Sequence, residues 1–407
     1  MKKTSCWLAL LAVLGLPTAQ AANQEIRALF QPDPAQPWKN VFINKTPNSG
    51  YCASYPSECA DNNMFSIQVP INFSSVSPLF ANNGVWVMVP ADWRRLTVTN
   101  HETQEVSTVE VRITGLGSRF MLSRPVTELA DEPDVLEAHR KLWTSSSWVY
   151  APPPCLYSGV GAYTPTTYRF FWKTPQQGSC IKVAARDVGH LSFNALDIAY
   201  ELRTPNPLAM SSGLYTGSLT YSVGRGGADF NMGPFMDADD NSLTLDFVLD
   251  VQHTLKVDMP PGGERVSLQP EGGWQRWLST RQVPNRIFRD QTFHISASSR
   301  FKMFLECERG TLSACYLFNR DSTSAAKLDI KVSLPNGLTD TAGRPVNHQL
   351  LLPGESSAVV FQPGIYVDRQ QGTLHFDVAS TAIEPLLTAN KGNNYSSTVV
   401  VIFDSEI

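Results

Sequence analysis

Leu243-Thr-Leu-Asp-Phe-Val-Leu249 places an apolar side chain at every second position. Period two puts those side chains on one face of an extended strand and leaves the others on the opposite face. The same alternation recurs in Phe65-Ser-Ile-Gln-Val69, Val85-Trp-Val-Met-Val89, Val109-Glu-Val-Arg-Ile113, Leu219-Thr-Tyr-Ser-Val223 and Leu328-Asp-Ile-Lys-Val332. Turn residues separate the runs: Asn82-Asn83-Gly84, Pro260-Pro261-Gly262-Gly263, Pro335-Asn336-Gly337 and Pro353-Gly354. Many short strands with this punctuation predict an all-β protein made of two β-sandwich domains. Helical spacing is confined to residues 134–143, with Asp131 as the expected cap and Pro133 in the first turn. A shorter helix or turn is expected at Gly273-Trp-Gln-Arg-Trp-Leu278.

The composition agrees. The chain has 407 residues, 42% of them apolar and 17% charged, with 28 Pro and 26 Gly. Enough apolar material is present for real cores, which excludes bulk disorder. A net charge of −4 excludes a general phosphate-neutralising surface, so no nucleic-acid partner is expected.

Met1-Lys2-Lys3, the apolar run over residues 6–16 and Ala19-Gln20-Ala21 read together as a secretory signal peptide over residues 1–21. The apolar run is too short to cross a bilayer, which takes about 20 residues. Its removal takes Cys6 with it and leaves Cys52, Cys59, Cys155, Cys180, Cys307 and Cys315. An even set in an oxidising compartment predicts disulfides, most economically the local pairs 52–59, 155–180 and 307–315. The spacing fits no zinc site. Arg203-Thr-Pro-Asn-Pro207 is a stiff linker and marks the expected boundary between domains at 22–204 and 205–407.

Enzyme signatures are missing. The chain has no Gly-x-Ser-x-Gly elbow, no His-Glu-x-x-His and no phosphate loop. Gly224-Arg-Gly226-Gly227 reads as a hairpin turn. Asp237-Ala-Asp239-Asp240-Asn241 opens like a calcium loop, but Ser242 and Val248 stand where such a loop needs Gly and Glu. The seven histidines show no triad spacing. No enzymatic activity, cofactor or metal is expected. A polysaccharide hydrolase remains an alternative, because paired carboxylates meet in space and not in sequence.

Aromatic residues crowd the stretch from Trp143 to Trp172 around Pro152-Pro153-Pro154-Cys155. Stiff aromatic loops suit the apolar faces of sugars and lose little entropy on binding. Trp143, Trp148 and Tyr150 are therefore candidate receptor contacts, with core packing as the competing reading. Arg94, Arg95 and Arg119 are candidates to read an anionic group such as a sugar carboxylate. Exposed surface charge is their alternative role.

The C-terminal half carries a resemblance. Pro207-Leu-Ala-Met-Ser-Ser-Gly-Leu-Tyr-Thr-Gly-Ser-Leu-Thr-Tyr-Ser-Val-Gly224 resembles the start of the pilin domain in two-domain tip adhesins of chaperone–usher fimbriae. Tyr395-Ser-Ser-Thr-Val-Val-Val-Ile-Phe-Asp-Ser-Glu-Ile407 is similar to the final strand of such subunits. Gly50-Tyr-Cys52 through Pro56-Ser-Glu-Cys59 is similar to their adhesin domains. The spacing of Cys307 and Cys315 departs from that common in major pilins.

The resemblance implies a lectin-like N-terminal adhesin domain and an incomplete immunoglobulin-like pilin domain at the C-terminus. The pilin groove would lie along Tyr395, Val399, Val401 and Phe403, with the Ile407 carboxylate held by a periplasmic chaperone. Further implied partners are an outer-membrane usher, a neighbouring pilin that donates a strand, and a host or environmental glycan. The location would be the fimbrial tip at the cell surface. Residues 22–30 hold only Ile26, Leu29 and Phe30 as large apolar side chains, too few for a donor strand. A subunit that only initiates pilus assembly, without binding a receptor, is the rival within the family.

Overall fold

The computed structural model describes residues 22–157, 161–321, 323–388 and 394–405. The expected signal peptide and Ile407 lie outside the described residues. The chain is all-β, as the alternation predicts. Its main strands are β1 (Ala22–Phe30), β2 (Arg94–Asn100), β3 (Val106–Leu122), β4 (Thr167–Lys173), β5 (Leu191–Arg203), β6 (Gly213–Ser222) and β7 (Ser242–Val251) in a first sheet. There follow β8 (Ile287–Ala297), β9 (Phe301–Cys307), β10 (Ala314–Asn319), β11 (Ala325–Ser333), β12 (Val359–Pro363), β13 (Val367–Val378) and β14 (Val399–Ser405).

The first sheet is organised around β3, whose early residues pair with β2 and whose later residues pair with β4, while β5 runs along much of its length. On the far side of β2 the order continues β6, β7, β1. Leu243, Leu245, Phe247 and Leu249 of β7 are all buried, so the alternating run does what its period requires. At Gly217 of β6 a Cβ would sit 2.2 Å from the Thr97 carbonyl, so only glycine lets the two strands approach there. β1 joins parallel to β7, in register from Ala22 opposite Leu243 to Phe30 opposite Val251.

The division between cores departs from the expected one. The 203–207 linker is a turn, not a boundary: Asn206 caps a 3₁₀ turn over Pro207–Ala209, and the chain re-enters the first sheet as β6. Leu208, Met210 and the apolar faces of β6 and β7 belong to the first core, which ends at Val251. A separate second core takes over from Leu255 onward. The stretch beginning at Pro207, which resembles a pilin start, therefore lies in the first unit. Strands of both units share one alternation, and a Pro-rich turn looks alike whether it reverses the chain or spaces two bodies.

The helix expected over residues 134–143 is Val135–Lys141, and its cap is Asp134, which accepts the Glu137 N–H. Asp131 instead ends the preceding helix Val126–Ala130 in the left-handed conformation. The second expected helix is Gly273–Thr280.

The second unit is a sandwich. One sheet carries β8, β13, β11 and β10 in that order, and the other carries β12, β9 and β14. Phe293, Ile295, Met303, Leu305, Ile330, Val332 and Phe361 fill the space between them. β14 lies at the end of its sheet with β9 as its one neighbour among the described residues.

Candidate strand-acceptor groove and receptor face

β14 is apolar on both faces, yet among the described residues only one of its edges is hydrogen-bonded. Beside the open edge lies an apolar cavity of about 520 Å³. Val399, Val401 and Phe403 form one wall. Leu317, Leu328, Leu374 and Phe376, from the inner face of the facing sheet, form the other. Phe403 reaches Phe293 edge-on at 5.4 Å. Leu328 and Leu374 are buried, but Leu317, Phe376, Val399, Val401 and Phe403 are half-buried, so the second core is open along this line.

The strand itself is fixed. Lys302 of β9 bonds Asp404 and Glu355, and Thr398 donates its N–H to Glu308. The hydrogen bonds it donates to Glu355 and Asp404 hold the Lys302 ammonium above its ordinary range. At the near end the Ser397 hydroxyl is buried with no hydrogen-bond partner among the described residues. Tyr395, expected in the groove, is instead on a short strand that pairs with β10, and its hydroxyl donates to Ser324. Two residues of irregular chain separate it from β14, and they shift it to the other sheet.

The candidate receptor residues are scattered. Trp143 and Trp148 are core residues, 2% and 0% exposed, packed edge-on against Phe120. Trp148 stacks on Trp172, whose indole N–H donates to the Trp148 carbonyl. Their large apolar area is spent inside the core. Arg94 is neutralised by Asp229 and lies over Tyr221. Arg95 pairs with Glu110. Arg119 is the one of the three with no ion pair among the described residues, and it stands exposed opposite Arg169 in the β3–β4 register.

Tyr150 is different. It is exposed and stacks on Tyr157, also exposed, with ring centroids 5.9 Å apart. The loop that presents Tyr150 is held from beneath by Lys182, which is wholly buried and donates to the carbonyls of Ser145, Ser147 and Tyr150. Burial pushes its ammonium down to about 7. The Cys155–Cys180 disulfide ties the same loop to the strand carrying Lys182. Tyr157 belongs to the aromatic stretch seen in the sequence but is not set apart within it, and Lys182 carries no sequence signal, because a surface stack and a buried cation become visible only when the loop is folded.

The other disulfides join Cys52 to Cys59 and Cys307 to Cys315. Near the first of them Arg169 pairs with the buried Asp197. Burial pushes the Asp197 carboxyl up while Arg169 pulls it down. Gly50 closes this site: it has φ 68°, and a Cβ there would meet the Asp197 carboxylate.

One cluster has no counterpart in the sequence reading. Ser333 Oγ lies 2.9 Å from His375 Nε2, and His375 Nδ1 lies 2.7 Å from Asp290. These residues sit on β11, β13 and β8, far apart in the chain. The distances are those of a nucleophile, base and orienting carboxylate. Ser333 Oγ, however, also accepts the His348 N–H and lies 3.2 Å from Asn347 Oδ1. It works as a node that ties the 347–348 turn to the sheet. The acidic run at 237–241 is likewise accounted for, with Asp237 on Arg225, Asp239 on Asn72 and Asp240 on the Ala22 nitrogen.

No model of a known protein family matches the chain, and no curated protein matches it. Solved structures do. The chain is similar to the tip adhesin of a chaperone–tip adhesin complex of CFA/I fimbriae, at 12% identity over 95% of this chain and 97% of that one, with a TM-score of 0.23. It is also similar to the chaperone–tip subunit complex CsuC–CsuE from archaic Csu pili of Acinetobacter baumannii, at 10% identity over 94% and 98%, TM-score 0.23. A mutant of the CFA/I adhesin CfaE of enterotoxigenic E. coli is a third, at 10% identity over 95% and 99%, TM-score 0.24.

Proposed function

We propose that this chain is a tip adhesin of chaperone–usher fimbriae, exported through the periplasm and incorporated at the distal end of the pilus. The observation that carries the reading is the apolar groove beside the open edge of β14. An unpaired, apolar strand edge over a gap in the core calls for strand addition from another chain. A periplasmic chaperone fills the groove first, and the neighbouring pilin then takes its place during assembly at the usher. The strand nearest the expected mature N-terminus, β1, is already paired with β7 and with Ile43–Asn44. One full edge of β1 is thereby committed to its own sheet, which supports a role as acceptor.

The first unit is the receptor-binding part. Tyr150 and Tyr157 supply a pre-formed aromatic surface, and a glycan is the class of receptor such a surface fits. Binding needs no catalytic group, so the protein acts by adhesion.

The test is a melting experiment on the full chain, alone and with peptides matching the N-terminal extensions of candidate partner pilins. A peptide that raises the melting transition of the second unit, and fails to do so after Val401→Asp, supports the reading. Indifference to every peptide overturns it. For the receptor, loss of saturable binding to glycans or cells in Tyr150→Ala and Tyr157→Ala supports the assignment. A protein that initiates pili but binds no surface is an assembly subunit only.

A further inference from the structure

β1 begins at Ala22, which is 7% exposed, and its nitrogen lies 2.9 Å from Asp240 Oδ2. The other oxygen of Asp240 accepts the N–H groups of Asn241 and Ser242, so the carboxylate is fixed in place. Its acidic neighbours are served elsewhere, Asp237 by Arg225 and Asp239 by Asn72. Among the described residues no Lys or Arg pairs with Asp240. A half-buried carboxylate with a fixed geometry and no cation faces the nitrogen of one residue, and that residue directly follows Ala19-Gln20-Ala21.

We propose that Asp240 is the acceptor for a new chain terminus: the α-ammonium of Ala22, freed by cleavage between Ala21 and Ala22. The proposal rests on the export reading above. A signal peptidase hydrolyses the Ala21–Ala22 amide. Water gives its hydroxyl to the Ala21 carbonyl carbon and one proton to the Ala22 nitrogen, and the proton of the new carboxylic acid passes to the amine, which leaves a carboxylate and an ammonium. Before cleavage that nitrogen is a neutral amide with one N–H. Afterwards it is an ammonium with three donors and a full charge beside a carboxylate. Hydrogen bonds between two charged partners are stronger than neutral ones.

Processing therefore strengthens the first residue of β1, and β1 is the strand that lies parallel along β7 through nine residues. Completion of the first sheet is coupled to removal of the leader. The exported precursor has a weaker β1, and the mature chain gains the ion pair only once it has crossed the membrane. The small side chain of Ala22 suits both demands, since it fits the buried start of the strand and the peptidase site.

The experiment uses the full chain, exported and purified, and begins with its intact mass. A mass that starts at Ala22 supports the first step, and any other first residue overturns it. Asp240→Asn is then introduced into the mature chain and into one carrying a short uncharged Gly-Ser extension before Ala22. Asparagine keeps an oxygen for the Asn241 and Ser242 amides, so the change isolates the charge. The expected result is a fall of about 2–4 °C in the first-unit transition of the mature chain, and less than half of that in the extended chain. Equal losses in both overturn the ion pair while leaving the cleavage site standing. The fimbrial reading is judged separately by the peptide experiment, and the export reading by whether the chain is processed at all.

Discussion

β1 and β14 are the first and last described strands, and their situations are opposite. β1 is held along its length by β7, is flanked in part by Ile43–Asn44, and buries Ile26 and Phe30 to 1% exposure. β14 has β9 on one side and an open groove on the other, and its apolar side chains are only half-buried. β1 buries Ala22, Ile26, Ala28 and Phe30 between more exposed, mostly polar residues, while β14 is apolar on both faces. The first unit seats β1 against its own β7 through nine residues, whereas the second leaves a groove beside β14. What separates the two is whether the chain itself closes the core beside the strand.

The sharpest way to break this contrast is to empty β1. Phe30 packs against Phe42 and His253. Phe30→Ala is expected to cost about 3–5 kcal/mol. The loss should appear in the first-unit transition by calorimetry and leave the second unit unchanged.

Lys182→Met strips three carbonyls of their buried donor, at a cost of about 3 kcal/mol. The pH dependence adds a signature. The unfolded chain holds the lysine proton up to its ordinary value near 10.5, the folded chain only to about 7. Between these values the unfolded state binds more protons, so stability rises with pH and is lost as pH falls toward 7. Urea melts from pH 6 to 10 should show that slope in the parent and a flatter line in the variant.

On the open side, a matching donor peptide at a hundred times its dissociation constant is expected to stabilise the second unit by about 2.7 kcal/mol. The first unit should not respond. If the first unit also shifts, the two edges are less different than described.

The smallest effect concerns the polar node on the second unit. Ser333→Ala should cost about 1 kcal/mol through lost hydrogen bonds. Ser333 already accepts the His348 N–H, so a fluorophosphonate probe should leave it unlabelled, as read by mass spectrometry. Stoichiometric labelling that vanishes in His375→Asn would turn the node into a catalytic triad and reopen the question of enzymatic activity.

Sequence alone determined the class of the fold. Period-two runs such as residues 243–249 tell which side chains turn inward, because a strand alternates whatever surrounds it. Local events were legible for the same reason. The cysteine pairs separated by 7, 25 and 8 residues, the helix near residue 135 and the apolar end of the chain all follow from neighbours in sequence. Tertiary structure decided the rest. It placed the division between cores after Val251 and not at the prolines, since only strand pairing shows that β6 and β7 complete the first sheet. It sent Trp143 and Trp148 to the core and left Tyr150 outside, because large aromatics serve either place equally well and only packing chooses. It brought Asp240 to Ala22, and Ser333 to His375 and Asp290, across separations that no spacing encodes. And it left one edge of β14 without a neighbour among the described residues, a property of the whole sandwich that no single strand carries.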